Sequence, residues 1–415
     1  MHSPTAADEW RNFWYLPIAA ALGYATSVIF VYGFSPFIVP LENEFGWSRR
    51  EISFGITIAS FTNALLCMPI GMLVDKIGPR VVGLLGILLM GVAFALLGTA
   101  TGSHSNWILL WLGIAFAVLF IQATVWTLAV TSRFTASRGL ALAITLCGAS
   151  VAATIFPPIA QYLISNFGWR MGFIGMGLGW AALVFPVLFF FFKTAKEAKH
   201  EPVVGSNPAQ KILKGLTIKE GLRSPALYKL LLAGGCFSFT IIGIFVHFVP
   251  IMAALKTTGN VASTLSSLIG ICSIVGRLGT GFLLDRFKGY AVGGCAFIMP
   301  LVGCLLLVVA GNNFICQVIA AMTIGLTLGA EVDVIAYLAS KYFGRKNFAA
   351  LYGALVGALT LGTAFGPLTA GAIYDHFKNY EPFLMISAAL LAASAIALFS
   401  LAKTPIVDES AATGH

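Results

Sequence analysis

Apolar stretches of about twenty or more residues recur along this chain, and they constrain its fold more than any other feature. Each stretch is long enough to cross the roughly 30 Å hydrocarbon core of a bilayer as a helix. Open sheet edges cannot exist in lipid, so the stretches must be helical. We therefore predict an all-α membrane protein with twelve transmembrane helices. Their expected ranges are 13–41, 51–75, 79–100, 105–131, 138–165, 169–193, 227–254, 259–285, 290–310, 313–341, 346–375 and 380–402.

The composition supports a membrane protein and argues against several other classes. The chain is 58% hydrophobic and 10% charged, whereas soluble domains carry about 25% charged residues. The first apolar run is too long for the core of a signal peptide, so we expect no cleaved signal. All seven cysteines fall inside predicted spans and form no C-x-x-C pair, which favours small buried hydrophobes over metal ligands or disulfides. We expect no cofactor and no metal.

The net charge of +9 reflects membrane topology and does not indicate a nucleic-acid surface. With the N-terminus inside, most of the 25 Lys and Arg residues lie on the cytoplasmic side. The opposite side then holds Arg49, Arg50, Arg170, Lys256 and Lys378. This bias predicts that both termini are cytoplasmic. We expect a monomeric multi-pass protein in a bacterial inner membrane, embedded in lipid and without a nucleic-acid partner.

The chain divides into two similar halves of six spans each. The longest polar stretch predicts a cytoplasmic loop at 194–226 between an N-terminal bundle (1–193) and a C-terminal bundle (227–415). Internal repetition of this kind is typical of two parallel repeats around an axis along the membrane normal. The halves match at an offset of about 210 residues, within which Gly33, Val39, Pro40, Gly71 and Asp75 recur as Gly243, Val249, Pro250, Gly281 and Asp285.

A motif in the loop between spans 2 and 3 suggests the family. It contains Gly71, Asp75 and Arg80, and the matching loop of the second half contains Asp285 and Arg286. The glycine permits close helix approach, and the acid can pair with charges at a helix end. The motif resembles the loop signature of the major facilitator superfamily. That resemblance implies a twelve-helix transporter in which these residues act in gating.

A narrower resemblance concerns three other segments. Phe45-Gly46-Trp47-Ser48-Arg49, His247-Phe-Val-Pro250 and Gly329-Ala330-Glu331-Val-Asp333 are similar to segments of bacterial transporters related to the monocarboxylate and oxalate/formate porters. The resemblance implies that Arg277, in the eighth span, engages a substrate carboxylate. Animal members have an Asp one turn before this Arg, whereas this chain has Ser273. The counter-charge of Arg277 must therefore come from another position.

Arg277 is the one Lys or Arg that we place deep within a span. An arginine there costs at least about 3 kcal/mol and stays charged at any relevant pH. Such a residue usually faces a cavity and has an anionic partner. Glu331 and Asp333 in span 10 share its level, roughly 12–15 Å from the ends of their helices. They point about 200° apart, so both cannot face one cavity.

These three charges and His247 allow functional and structural interpretations. One acid could simply neutralise Arg277, or pair with basic residues of the following loop, and a lone His in an apolar helix is most often a core residue. The functional interpretation makes Arg277 and His247 substrate ligands and the two acids proton carriers, with His247 as the second candidate for the proton. It slightly favours Glu331 over Asp333, because the repeat relates Glu331 to the neighbourhood of Gln122.

The first half contributes no deep charge, so we expect it to supply shape and hydrogen bonds. In this fold spans 1, 4, 7 and 10 line the path. Gln122 and Trp126 fall on one face of span 4, and Tyr24 and Tyr32 lie in span 1. These four residues complete the predicted substrate site.

The sequence predicts a secondary transporter of a small organic carboxylate, most simply a monocarboxylate, moved together with a proton. The alternatives are an anion exchanger of the oxalate/formate type and a proton-driven drug efflux pump. A membrane enzyme would need a nucleophile–base pair or a metal cluster, and the sequence shows neither, so we expect no catalytic residues.

Overall fold

The computed structural model describes residues 5–134, 136–193, 215–344 and 347–403. These residues are almost entirely helical, and in this part of the chain the β-structure is limited to an isolated bridge between Gly215 and Gly344. The helices are α1 (Ala6–Phe13), α2 (Tyr15–Ser27), α3 (Ile29–Tyr32), α4 (Ile38–Phe45), α5 (Arg49–Ile77), α6 (Pro79–Leu96), α7 (His104–Val118), α8 (Ala123–Thr131), α9 (Arg138–Phe191), α10 (Ile218–Arg223), α11 (Pro225–Val246), α12 (Phe248–Ala254), α13 (Gly259–Arg286), α14 (Gly289–Ala310), α15 (Phe314–Phe343), α16 (Phe348–Phe377) and α17 (Glu381–Phe399).

The helices account for the twelve predicted spans, although not one for one. Nine helices of the described residues are long and apolar enough to cross a membrane. One of them, α9, has 54 residues and is interrupted at Gly168, where φ is 78° and ψ is 163°. Glycine adopts this non-helical backbone readily, and the regular helix is broken there. We therefore assign the two parts of α9 to spans 5 and 6. The broken series α2–α4 forms span 1 and α5 forms span 2. The prediction of an all-α, twelve-span chain is confirmed.

Three of the spans predicted to line the path are interrupted in the structure. Span 1 breaks after Ser27 and again before the 3₁₀ turn Ser35–Phe37. Span 4 breaks at Gln122, which has extended backbone between α7 and α8. Span 7 breaks at His247, between α11 and α12. Breaks of this kind free backbone groups, which transporters tolerate where the helix lines a cavity or packs against other helices.

The described residues cluster into two compact units. The first comprises the described residues within 1–200 together with Phe245–Ile271, and the second comprises the described residues within 201–244 and 272–415. The segment 245–271, which by sequence repeat belongs to the second half, therefore packs within the first unit. One contact of that kind is the Val249 amide, which donates to the Ser35 hydroxyl at 3.1 Å. The division at 194–226 stays a prediction, since residues 194–214 lie outside the described residues.

The first unit has an aromatic core. The ring of Phe37 stacks on that of Phe173 at 3.8 Å, and Phe94 contacts both of them edge-on. All three side chains are fully buried. Through these ring contacts the cluster packs the 3₁₀ turn Ser35–Phe37, α6 and α9 against one another.

Helix α1 is held against the loop that precedes α9 by a buried carboxylate. Glu9 is 2% exposed, and its two oxygens accept the backbone N–H groups of Ala136 at 2.9 Å and Ser137 at 3.0 Å. The Arg133 guanidinium lies 5.0 Å from the centre of the Phe13 ring. These contacts attach the polar segment that precedes the first span to the start of α9. The Glu9 carboxylate satisfies two backbone amides at that helix start.

Candidate functional site

The centre of the candidate site is an ion pair between α13 and α15 in the second unit. Both carboxylate oxygens of Asp333 lie 3.1 Å from Nη1 of Arg277. The Arg277 side chain is 10% exposed and the Asp333 side chain is 28% exposed, so the pair is largely buried and Asp333 is its more accessible member. The counter-charge of Arg277 is therefore on the tenth span, which answers the question raised by Ser273.

The pairing leaves part of the guanidinium available. Both Asp333 oxygens accept from Nη1, whereas an arginine can present two parallel N–H groups to a carboxylate. The buried Nε of Arg277 has no hydrogen-bond partner among the described residues. A buried donor without a partner costs about 1–3 kcal/mol, so an incoming anion that reached Nε would relieve that cost.

Two glycines allow α13 and α15 to approach closely enough for this pair. A Cβ on Gly276 would collide with the Leu326 carbonyl, and one on Gly329 would collide with the Ser273 carbonyl. Backbone-to-backbone contact of this kind is typical of small residues between membrane helices. The glycines therefore set the helix separation that Arg277 and Asp333 need in order to meet.

Glu331 faces a different neighbour from Asp333. It is 6% exposed, and the Ser238 side chain of α11 is hydrogen-bonded to its carboxyl group. Its Oε1 has no partner among the described residues. The Ser238 hydroxyl also lies 3.2 Å from that of Thr363 on α16. Positions two apart on a helix diverge by roughly 200°, so one acid meets Arg277 and the other a hydroxyl cluster.

The sequence analysis did not single out Ser238 and Thr363. The sequence gives little indication of their role, because the hydroxyl of a serine or threonine in an apolar helix commonly donates to a backbone carbonyl of the same helix. Thr363 indeed also donates to the Leu359 carbonyl at 3.2 Å. Only the tertiary structure shows that Ser238 and Glu331 face each other.

His247 lies in the first unit, whereas Arg277, Glu331 and Asp333 lie in the second. It is fully buried at the break between α11 and α12, and its Nε2 is 3.0 Å from the Ser53 hydroxyl of α5. Ser53 is a third residue that did not stand out in the sequence. This contact gives His247 a hydroxyl partner within its own unit.

The other predicted residues of the first half also lie in the first unit. The Nε2 of Gln122 is buried without a partner among the described residues, so this amide can still donate. The indole N–H of Trp126 is already used, since it donates to the Ile121 carbonyl at 2.9 Å. Tyr32 packs edge-on against Phe245, with ring centres 4.8 Å apart, and Tyr24 is half-buried. Trp126 therefore contributes shape and not a free donor.

The predicted gating residues are only partly described. Gly71 and Asp75 lie in the last turns of α5 and not in the expected loop, and the Asp75 side chain is outside what the structure describes. Arg80 donates to the Phe189 carbonyl at 2.7 Å, near the end of α9. Asp285 is exposed, and the Arg286 guanidinium lies 4.0 Å from the centre of the Phe282 ring.

Comparison with known proteins agrees with this architecture. The model of the Major Facilitator Superfamily matches residues 20–347 and 249–414. The chain is 25% identical to Monocarboxylate transporter 12-B of Danio rerio over 376 residues, which are 81% of this chain and 76% of that protein. It is also 25% identical to Monocarboxylate transporter 13 of Rattus norvegicus over 384 residues, 89% of this chain and 83% of that protein.

A solved structure shares the fold. It is the crystal structure of a bacterial homologue of the human lysosomal transporter Spinster in an inward-facing, occupied conformation. The TM-score is 0.70, with 16% identity, and the match covers 95% of this chain and 97% of that one. At this identity the likeness establishes the fold alone. Because the family model covers nearly the whole chain and the twelve helical spans have the matching architecture, this protein belongs to the Major Facilitator Superfamily.

Proposed function

We propose that this protein is a secondary active transporter of a small organic anion, most simply a monocarboxylate, which it moves together with a proton. The observation that carries the proposal is the ion pair of Arg277 with Asp333. A fixed cation inside the membrane suits an anionic substrate, and a drug efflux pump would have no need of it. The relatives named monocarboxylate transporters support the same substrate class.

The geometry suggests how the anion and proton could be linked. A substrate carboxylate arriving at Arg277 competes with Asp333 for the same guanidinium. The displaced Asp333 loses its cation in a site of low dielectric, so taking up a proton becomes the favourable outcome. One anion would then travel with one proton, and no unpaired charge would remain. This favours Asp333 over Glu331 as the coupled acid, whereas the sequence alone slightly favoured Glu331.

Glu331 has a supporting role in this proposal. It lies two residues from Asp333 and bonds to Ser238, and the charge of Arg277 acts on both acids. His247 and Gln122 remain candidate substrate ligands from the first unit, with Trp126, Tyr24 and Tyr32 shaping the path.

The transport cycle would be alternating access, with the site exposed in turn to each side. On the distribution of Lys and Arg we propose that both termini are cytoplasmic, in a bacterial inner membrane. The six-helix bundles 1–193 and 227–415 would be the two moving bodies, and the monomer would be the working unit.

The substrate class can be tested first by thermal shift. Purified protein is screened with aliphatic and aromatic monocarboxylates, dicarboxylates and neutral analogues such as the matching amides. A ligand present at 100 times its Kd should add about 2.7 kcal/mol of stability. Stabilisation by monocarboxylates but not by their amides is expected. If hydrophobic cations stabilise the protein and carboxylates do not, the anion proposal is wrong.

Symport and exchange are then separated in proteoliposomes. We expect an inward proton gradient to drive accumulation of the labelled carboxylate into empty vesicles, and a protonophore to abolish that accumulation. An exchanger would instead require anion inside the vesicles and would ignore the gradient. Uptake that depends only on internal anion would overturn the proton symport.

A further inference from the structure

The second unit contains an apolar cavity that the proposed transport site does not use. It has a volume of about 460 Å³ and lies between α13, α14 and α15. Its walls include Val275, Gly279, Leu283, Cys295 and Met299. The volume falls in the range of small-molecule sites, roughly 300–1,000 Å³. Neither Arg277, Asp333 nor Glu331 lines it, so it is separate from the anion site.

The cavity is open at its side and has few polar groups. Val275 is 59% exposed and Phe287 is 62% exposed, although both line the cavity. The hydroxyl of Thr327 donates to the Ala296 carbonyl at 3.1 Å and is thereby satisfied. An apolar, laterally open space in a membrane-spanning helix bundle suits a hydrocarbon chain and does not suit a hydrated solute.

Basic residues lie at one end of this cavity. Arg286 follows Gly279 by seven residues and Val275 by eleven, so all three lie on one face of α13. Arg286 ends α13, and Lys288 precedes the first turn of α14, between the two helices that form the cavity walls. Both side chains are exposed. Asp285, the neighbouring acid, is roughly 100° away from Arg286 around the helix axis.

The Arg286 guanidinium is held close to the apolar wall. It lies 4.0 Å from the centre of the Phe282 ring, a cation–π contact that keeps the charge beside the helix surface. The cavity extends from this charged end towards Val275, a rise of roughly 16 Å along α13 at 1.5 Å per residue. One end of the space is therefore cationic and the remainder is apolar.

We propose that this cavity binds one anionic phospholipid, with an acyl chain between α13 and α14 and the phosphate group against Arg286 and Lys288. Hydrocarbon alone would fill the apolar part without preference, whereas two adjacent cations at its end select an anionic headgroup. Basic residues beside transmembrane helices attract anionic lipid headgroups. The lipid would pack directly against the helix that carries Arg277.

Two glycines of α13 provide matched variants for testing this site. A Cβ added at Gly279 would meet nothing within 4 Å, and the same is true at Gly281. Only Gly279 lines the cavity, since Gly281 lies two positions further and points to another face. Gly279→Leu should therefore place its side chain in the cavity, and Gly281→Leu is the control for the change in residue type.

The full-length protein in detergent is incubated with phosphatidylglycerol or phosphatidylcholine, and the retained lipid is counted by native mass spectrometry. We expect the original protein and Gly281→Leu to retain phosphatidylglycerol in preference to phosphatidylcholine. Gly279→Leu should retain about tenfold less phosphatidylglycerol. The double variant Arg286→Gln, Lys288→Gln should retain both lipids equally. Equal retention of both lipids by the original protein, or undiminished binding by Gly279→Leu, would overturn the proposal.

A second measurement uses the unaltered protein and does not depend on how any variant folds. Cys295 lines the cavity and is exposed, whereas Cys316 is half-buried and does not line it. Maleimide labelling of each thiol is followed by peptide mass spectrometry. Added phosphatidylglycerol should slow labelling of Cys295 and leave Cys316 unchanged, and phosphatidylcholine should do neither. Labelling of Cys295 that is equally fast with both lipids contradicts an occupied site.

Discussion

At the scale of single residues, the candidate site is defined by how many partners each charged group has. Asp333 gives Arg277 one anionic partner, at one of its terminal nitrogens, and leaves Nε without any among the described residues. Asp333 neutralises the charge of the guanidinium, and the Nε–H group can still donate to a second carboxylate. The arrangement therefore permits exchange of one anion for another, which a fully saturated ion pair would resist.

Arg277→Lys tests whether the shape of the guanidinium matters beyond its charge. Lysine preserves the positive charge and a partner for Asp333 but presents no fork to a second carboxylate. We expect the rate of carboxylate uptake in proteoliposomes to fall by well over about tenfold, while the amount of folded protein is unchanged. Uptake near the original rate would show that Arg277 serves only to neutralise Asp333.

The two acids can be separated by Asp333→Asn and Glu331→Gln. If Asp333 carries the proton, Asp333→Asn still exchanges substrate across membranes of equal pH but loses accumulation driven by an inward proton gradient. Glu331→Gln should keep gradient-driven accumulation, with altered affinity. The measurement compares labelled uptake with and without the gradient for each variant. The opposite assignment of the two phenotypes would make Glu331 the coupled acid, and His247→Ala completes the comparison if both variants accumulate normally.

At the scale of helices, close approach and broken spans position these groups. Gly276 and Gly329 bring α13 and α15 into backbone contact, while breaks at Gln122 and His247 turn polar side chains inward from otherwise apolar helices. A larger side chain at Gly276 or Gly329 should therefore also disturb the Arg277–Asp333 ion pair.

Gly329→Ala tests the α13–α15 contact. The added methyl group collides with the Ser273 carbonyl, so the helices must separate. Overpacking of this kind costs about 1–3 kcal/mol, and we expect a lower thermal unfolding temperature together with a large loss of uptake. Gly113→Ala in α7 is the matched control, because its methyl group meets nothing within 4 Å. Equal behaviour of the two variants would show that the contact is not needed.

Glu9→Gln tests how α1 is anchored. The glutamine keeps an acceptor for one amide but places an NH₂ group near the other, where the carboxylate accepts both. Hydrogen bonds to a charged group are worth about 1.5–3 kcal/mol, so the variant should unfold at a lower temperature in detergent. Carboxylate affinity should be unchanged, because Glu9 lies far along the chain from the ion pair. An unchanged unfolding temperature would contradict this account of the buried Glu9.

At the scale of the whole molecule, transport requires two conformations, and we expect their populations to respond to charge pairs at the helix ends that carry the motif. The motif around Asp75 has its counterpart at Asp285, and the Arg80 contact with Phe189 ties one loop end to α9. A pair formed in one conformation alone shifts the equilibrium by its own interaction free energy.

Asp75→Asn should therefore slow transport without weakening binding. We expect a reduced maximal uptake rate in proteoliposomes, while the Kd for carboxylate measured in detergent changes little. The comparison separates gating from recognition, since Asp75 lies near the end of α5 in the first unit, whereas Arg277 and Asp333 lie in the second. A large loss of affinity, with an unchanged distribution of conformations, would place Asp75 in substrate binding instead.

The sequence by itself determined the helical character, the number of spans and the family. These follow from apolar length, charge distribution and internal repetition, all of which are properties of local composition that lipid enforces through backbone hydrogen bonding. It also singled out Arg277, Glu331 and Asp333, because a charged side chain within a membrane span is energetically costly and therefore usually has a function.

Only the tertiary structure decided which of these groups meet. Sequence spacing placed Glu331 and Asp333 on different faces of α15. It could not determine which of those two faces would contact α13. The contact of α13 with α15 through Gly276 and Gly329 settled that Asp333 pairs with Arg277, and the packing of α11 gave Glu331 its Ser238 partner. Pairing across helices depends on the rotation and separation of whole elements, which are set by packing over many residues and are not encoded at any single position.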